Sequence, residues 1–149
     1  MDTLTPEQRN RNMAAIRSKD TKPEIYFRKI LFSEGYRYRI NSKKVCGHPD
    51  IYLKKYNTAI FIHGCFWHRH ENCKFAYIPK SNVEFWKRKF DANINRDMVV
   101  QEELRADGIK CLIVWECTVK QMKRNKDICN KYLNTVENFL VSSDMYKSI

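Results

Sequence analysis

Thr58-Ala59-Ile60-Phe61-Ile62 is the run on which the fold of this chain turns. It is apolar at nearly every position, so neither face of it suits water, and it reads as a strand in the middle of a sheet. Immediately before it, Lys54-Lys55-Tyr56-Asn57 is a turn and Asp50 to Leu53 is a second strand. Asn41 to Pro49 is a loop, and Tyr36 to Ile40 a further strand. Thr21-Lys22-Pro23-Glu24 is a helix start, with Pro tolerated in the first turn, and Gly35 is a helix stop. Ile25, Phe27, Ile30, Leu31 and Phe32 supply the apolar side of that helix. Thr5-Pro6-Glu7-Gln8 opens an earlier, polar helix that runs to about Arg17.

Downstream of the central run, His63 to Lys80 has no usable period. Ser81-Asn82-Val83-Glu84 reads as a capping box that starts a long helix to about Ala106, closed by Asp107-Gly108. Ile109 to Trp115 is a buried strand and Asp127 to Leu140 a final helix. Helices and strands in this order imply an α/β fold, a mixed central sheet flanked by helices. Residues 1–20 form an N-terminal helix or arm, 21–141 the main domain and 142–149 a tail.

The chain has 149 residues, 43% of them hydrophobic, enough for one domain with a real core. Lys and Arg total 28 against 17 Asp and Glu, a formal charge of +11. That surplus is spread from Arg9 to Lys147 and favours a polyanionic partner, nucleic acid first. No apolar run reaches membrane-spanning length and no signal peptide is evident, so a cytoplasmic protein without a membrane partner is expected. In a reducing compartment the 6 cysteines are better suited to metal ligation than to disulfides.

Cys65, His70 and Cys73 cluster in one loop, and zinc takes four tetrahedral nitrogen and sulfur ligands. Cys117, just past the end of the buried strand, is the best fourth. Four protein ligands leave no position for water or substrate, so this zinc would be structural. Cys46, Cys111 and Cys129 read as inert buried thiols.

A second set has harder donors. Asp50 opens a strand, Glu24 lies in the first turn of a helix, His63 follows the central strand and His68 lies five residues on. Magnesium-dependent phosphodiester hydrolysis needs carboxylate ligands, a group that moves a proton and a cation near the leaving oxygen. The Ile62 carbonyl can add a metal ligand. Each residue has a bland reading alone: Glu24 complements a helix dipole, and Pro49-Asp50 suits a turn.

Phe66 and Trp67 sit among charged neighbours in the metal loop, and Phe85-Trp86 opens the long helix. Such rings either stack on bases, worth roughly 1–3 kcal/mol each, or pack over the loop as a local core. In the N-terminal helix, Arg9, Arg11 and Arg17 can meet phosphate while Met13 and Ile16 wedge into a minor groove. The alternative is an amphipathic helix docked on the body.

Six separated motifs, in order over residues 5 to 120, resemble the very-short-patch repair endonucleases, bacterial DNA mismatch endonucleases. They are Asn12-Met13-Ala14-Ala15-Ile16, Gly47-His48-Pro49-Asp50, Ile60 to His68, Glu84-Phe85-Trp86, Asn93-Ile94-Asn95-Arg96-Asp97 and Leu112 to Cys117. The resemblance implies a restriction-endonuclease-like core with a zinc-stabilised loop. It implies a monomer acting on double-stranded DNA with a T:G mismatch, nicking 5′ to the thymine, with other repair-pathway proteins as possible partners. By the same resemblance Asp50 binds Mg2+ with the Ile62 carbonyl, and His68 is the general acid/base. His63 and Glu24 organise the water around the metal, and Cys65, His70, Cys73 and Cys117 hold Zn2+. Phe66, Trp67 and Trp86 enter the mismatch from the major groove, and the N-terminal helix clamps the minor groove. Ile62 stands where the family often has threonine, and the loop before Cys73 is one residue longer.

Overall fold

The structure is a computed structural model that describes residues 20–149. The N-terminal helix expected around Arg9, Arg11, Met13, Ile16 and Arg17 lies outside the described residues.

Helix α1 spans Lys22–Ser33 and starts as its sequence demands: the Thr21 side chain accepts from the Glu24 backbone N–H at 3.4 Å. Strands β1 (Arg39–Ile40) and β2 (Ile51–Leu53) follow, then a single 3-10 turn, Lys54–Tyr56, and β3 (Thr58–His63). Asn57 turns the chain into β3 with a left-handed backbone, φ 49°, a conformation that asparagine tolerates. After a long loop come α2 (Val83–Ala106), β4 (Lys110–Trp115), α3 (Glu116–Arg124), α4 (Lys126–Val141) and β5 (Tyr146–Ser148).

The five strands form one mixed sheet in the order β1-β2-β3-β4-β5. β1, β2 and β3 pair antiparallel, whereas β3–β4 and β4–β5 are parallel, with His63 opposite Trp115. The run 58–62 is central, as its composition requires. Side chains of β3 and β4 alternate between two cores. Ile60, Leu112 and Val114 face α1, α3 and α4, meeting Phe27, Leu31, Val119 and Val136. Ala59, Phe61, Cys111 and Ile113 face α2, meeting Leu104 and Val100. Full burial of a side chain such as Phe27 or Leu31 stabilises by about 1.5–3 kcal/mol.

Three local readings differ from the sequence expectations. The capping box at Ser81 does not form: Asn82 caps α2 in a left-handed conformation and makes no side-chain cap bond. Glu116–Arg124 is an extra helix between β4 and α4. Within the expected tail, residues 146–148 complete the sheet as β5. Of the thiols read as buried, Cys111 and Cys129 are, while Cys46 is half-buried and donates to Glu103 Oε2 at 2.6 Å.

Candidate functional site

A cleft of about 630 Å³ opens beside the carboxyl end of β3, and Glu24, Asp50, Ile62, His63, His68 and Asp97 line it. They arrive from α1, the start of β2, the end of β3, the loop after it and α2. Glu24 comes from the capped first turn of α1, where it is buried; its Oε2 accepts from the Asp20 N–H at 2.9 Å and from Arg28 Nη2 at 3.0 Å. Asp50 precedes β2, and its Oδ2 accepts from the Ile62 backbone N–H at 2.7 Å. That bond ties the start of β2 to the end of β3. Gly47, in the preceding turn, has φ 79°, and a Cβ there would overlap Val100 Cγ1 of α2. Only glycine lets the loop that presents Asp50 pass so close to that helix.

Alternation along β3 sends His63 to the α2 side, where it is buried. Its ring stacks on His68 with centroids 3.8 Å apart and planes 6° from parallel. The His68 N–H bonds the Gly64 carbonyl at 3.1 Å, so a tight turn folds the second imidazole back over the first. His68 Nδ1 lies 2.7 Å from Asp97 Oδ2. One helical turn earlier on α2, Asn93 Nδ2 donates to the Trp67 carbonyl at 3.1 Å. The same face of α2 therefore anchors the loop and supplies the carboxylate, the i and i+4 relation on a helix.

Burial pushes the Asp50 carboxyl up to about 7, and the nearby Glu24 carboxylate adds to it. The Ile62 N–H, the Arg28 guanidinium and His68 pull it back. His63 is driven down to about 3, first by burial and then by His68, with Asp97 opposing. His63 is thus neutral near pH 7 and keeps a nitrogen lone pair for a ligand or a water. A buried carboxyl beside a second carboxylate in a polar cleft is the donor chemistry of a hard divalent cation. Ligand atoms of His63, His68 and Asp97 also lie within 4.8 Å of one another, a mixed set that could hold an ion.

The second cluster is Cys65, His70, Cys73 and Cys117, whose ligand atoms again fall within 4.8 Å of one another. Cys65 and Cys117 Sγ lie 3.6 and 3.4 Å from His70 Nδ1. Zinc–sulfur and zinc–nitrogen bonds at a tetrahedral angle would separate such atoms by about 3.6 Å. Burial raises the Cys65 thiol to about 12 and also raises Cys117, whereas hydrogen bonds lower Cys73. Thiols held neutral by burial and packed this closely suit a cation that would deprotonate them. Donor types and spacing therefore fit zinc.

Phe66 is the hub of an aromatic cluster, with ring centroids 5.1 to 5.4 Å from Trp67, Tyr77, Trp86 and Phe90. Trp67 also lines the cleft. Phe85, touching Trp86, is half exposed. The rings thus pack on one another at the edge of the cleft.

Sequence reasoning placed Asp50, Glu24, His63 and His68 here, and the structure brings all four into one cleft. It gave no role to Asp97. The available signal was the four-residue step from Asn93 to Asp97 on a predicted helix, which names a face but not its distant partner. Arg28, which bonds Asp20 Oδ1 at 2.8 Å as well as Glu24, was also missed.

Residues 1–74 match the family described as DNA mismatch endonuclease Vsr. The chain is similar to the type II nicking enzyme V.NmeAIP of Neisseria meningitidis, 48% identical over 89% of this chain and 91% of that protein. It is similar to the type II nicking enzyme V.XorIIP of Xanthomonas oryzae, 40% identical over 81% and 88%. It is also similar to the DNA mismatch endonuclease Vsr of Escherichia coli, 35% identical over 80% and 76%.

Proposed function

This chain belongs to the Vsr family of DNA mismatch endonucleases, and from that premise we propose that it nicks one strand of duplex DNA 5′ to a thymine mispaired with guanine. Such mismatches arise by deamination of 5-methylcytosine, and the nick would initiate very short patch repair. The observation that carries this reading is the meeting of the Asp50–Glu24 carboxylates with the His63–His68–Asp97 group in one cleft.

Asp50 and the Ile62 carbonyl would hold a catalytic Mg2+, with Glu24 and His63 orienting its water. When bound, that ion neutralises charge on the scissile phosphate and leaving oxygen. His68 moves the proton at Nε2, because its Nδ1 is committed to Asp97. Asp97 holds the imidazole in one tautomer. Cys65, His70, Cys73 and Cys117 would hold a structural Zn2+ that stiffens the loop bearing Phe66 and Trp67. Phe66, Trp67 and Trp86 would insert beside the mismatch, each stacked base contributing roughly 1–3 kcal/mol. Arg9, Arg11 and Arg17 would meet phosphate, with Met13 and Ile16 in the minor groove. The core is restriction-endonuclease-like, and the protein acts as a cytoplasmic monomer.

Strand-labelled duplexes test this directly. One carries a T:G mismatch and one is fully paired, each with and without magnesium. The expected result is magnesium-dependent cutting of the thymine strand alone. Equal cutting of the paired duplex, or cutting of both strands, would overturn the proposal.

A further inference from the structure

The molecule holds two centres, a cleft with two stacked imidazoles and a Cys/His cluster. One side chain touches both. Trp115, at the end of β4, lies face to face with His70, centroids 4.1 Å apart and planes 4° from parallel. The same indole meets His63 edge-on at 5.4 Å. His63 in turn stacks on His68. An unbroken line of rings therefore runs from a zinc-cluster histidine, through Trp115, to the imidazole paired with Asp97.

The line is built into the fold. Parallel register sets His63 beside Trp115 across β3 and β4, on the same face of the sheet. The indole cannot tip freely, because its Nε1 donates to Ser148 Oγ of β5 at 2.7 Å. The Trp115 backbone N–H bonds the Ile149 carbonyl at 3.0 Å, and the Ile149 N–H bonds Ile113 at 2.9 Å. β5 and Ile149 just after it thus grip the Trp115 ring and its backbone together. A second cavity, about 550 Å³, has His63, His68, His70, Trp115, Tyr146 and Ser148 in its wall. β5 thus shares a cavity wall with the histidines of both centres.

We propose that Trp115, clamped by Ser148 of β5, is a positioning residue that holds His70 and the His63–His68 pair in mutual register. The inference rests on the nuclease reading for its activity arm and on the Cys/His geometry alone for its metal arm. A flat indole pressed on His70 fixes the ring plane and so keeps Nδ1 aimed at Cys65 and Cys117. Its edge against His63 sets the height of the stack that presents His68 to the cleft. Removing the ring frees both imidazoles while leaving every ligand and every cleft side chain in the chain.

The test uses full-length zinc-loaded protein and two readouts. The first is kcat and KM for nicking a T:G duplex. The second is the rate of zinc release to a colorimetric chelator. Trp115→Leu should lower kcat about a hundredfold, the cost of a displaced reacting group, with KM within about threefold. It should also speed zinc release about 10- to 100-fold, as loss of a ligand-orienting neighbour does. Trp115→Phe, which keeps a ring against His70, should restore most of both. Ser148→Ala removes only the clamp and should lower kcat about two- to tenfold, the size of one net hydrogen bond, and speed release.

Wild-type values of kcat and release rate in Trp115→Leu would overturn the proposal, as would a raised KM with unchanged kcat. If Trp115→Leu fails to fold by circular dichroism, Ser148→Ala decides: wild-type behaviour in both readouts overturns the proposal. Absence of nicking by the wild type would sink the nuclease reading instead, and the release rates would still decide the role of Trp115.

Discussion

Asp50→Asn should make the metal-free protein more stable while abolishing its nicking. The carboxyl stands at about 7 against an ordinary 3.8, mainly because it is buried and next because Glu24 lies near. A shift of about 3 units corresponds to about 4 kcal/mol of penalty on the ionised form. The sign follows from the raised folded-state value. Below pH 3.8 the group is protonated whether folded or not, and no penalty exists. Between there and pH 7 the unfolded chain is ionised and the folded one is not, so stability falls; above 7 the penalty is constant. Asparagine keeps an oxygen to accept from the Ile62 N–H, which donates to Asp50 Oδ2 at 2.7 Å in the wild type. Its buried amide carries a cost of its own, up to about 2 kcal/mol, so a net gain of about 2–4 kcal/mol is expected at pH 8 and a loss of no more than about 2 kcal/mol at pH 4. Urea unfolding of both proteins at the two pH values, in magnesium-free buffer, measures the difference. Titrating groups remote from position 50 are common to the pair and cancel. Magnesium should then stabilise the wild type and leave the variant unmoved, since only the wild type would bind it. A difference that is the same at pH 4 and pH 8 would refute the reasoning, because it would mean that no uncompensated charge is held at position 50.

Asp97→Asn keeps the shape of the His68 partner and removes its charge, so kcat should fall about 10²- to 10⁴-fold with duplex affinity unchanged; a loss under threefold in single-turnover nicking would remove Asp97 from the site. Lys110 is buried and its Nζ donates to the carbonyls of Phe139, Leu140 and Ser142 at the end of α4. Lys110→Met strands those acceptors and removes a cation from a helix carboxyl end, so it should cost about 2–4 kcal/mol in urea unfolding without altering nicking per folded molecule.

What could be read from the sequence was what local chemistry decides. The apolar run 58–62 named the central strand because a chain buried on both faces cannot carry charge. Thr21 named the start of α1 because its hydroxyl has one good use there. The Cys/His cluster was legible because Cys65, His70 and Cys73 crowd one loop. Elements that depend on a distant partner were not legible. Tyr146-Lys147-Ser148 shows no apolar alternation, and becomes a strand only because β4 offers it an open edge. Helix α3 begins at Glu116 without a side-chain cap, its start at Trp115 set by the end of β4. Asn82 adopts a left-handed turn where Ser81 looked the better cap, since the incoming loop dictates the approach. Asp97 was invisible for the same reason: a helix repeat shows which way a carboxylate faces, and only the tertiary fold supplies the imidazole in front of it.

The parallel pairing of β3 with β4 carries an evolutionary constraint. Successive side chains point to opposite sides of a sheet, so adding or deleting a single residue within β4 would turn Trp115 toward α1 and bring Val114 or Glu116 into its place. The same slip would rotate the entry of α3 and swing Cys117 away from its three companions. Neither centre can drift while the other stays put. Lineages of this protein should tolerate length changes in the loop before Cys73 far more readily than in the six residues of β4, and the two centres should be lost together or kept together.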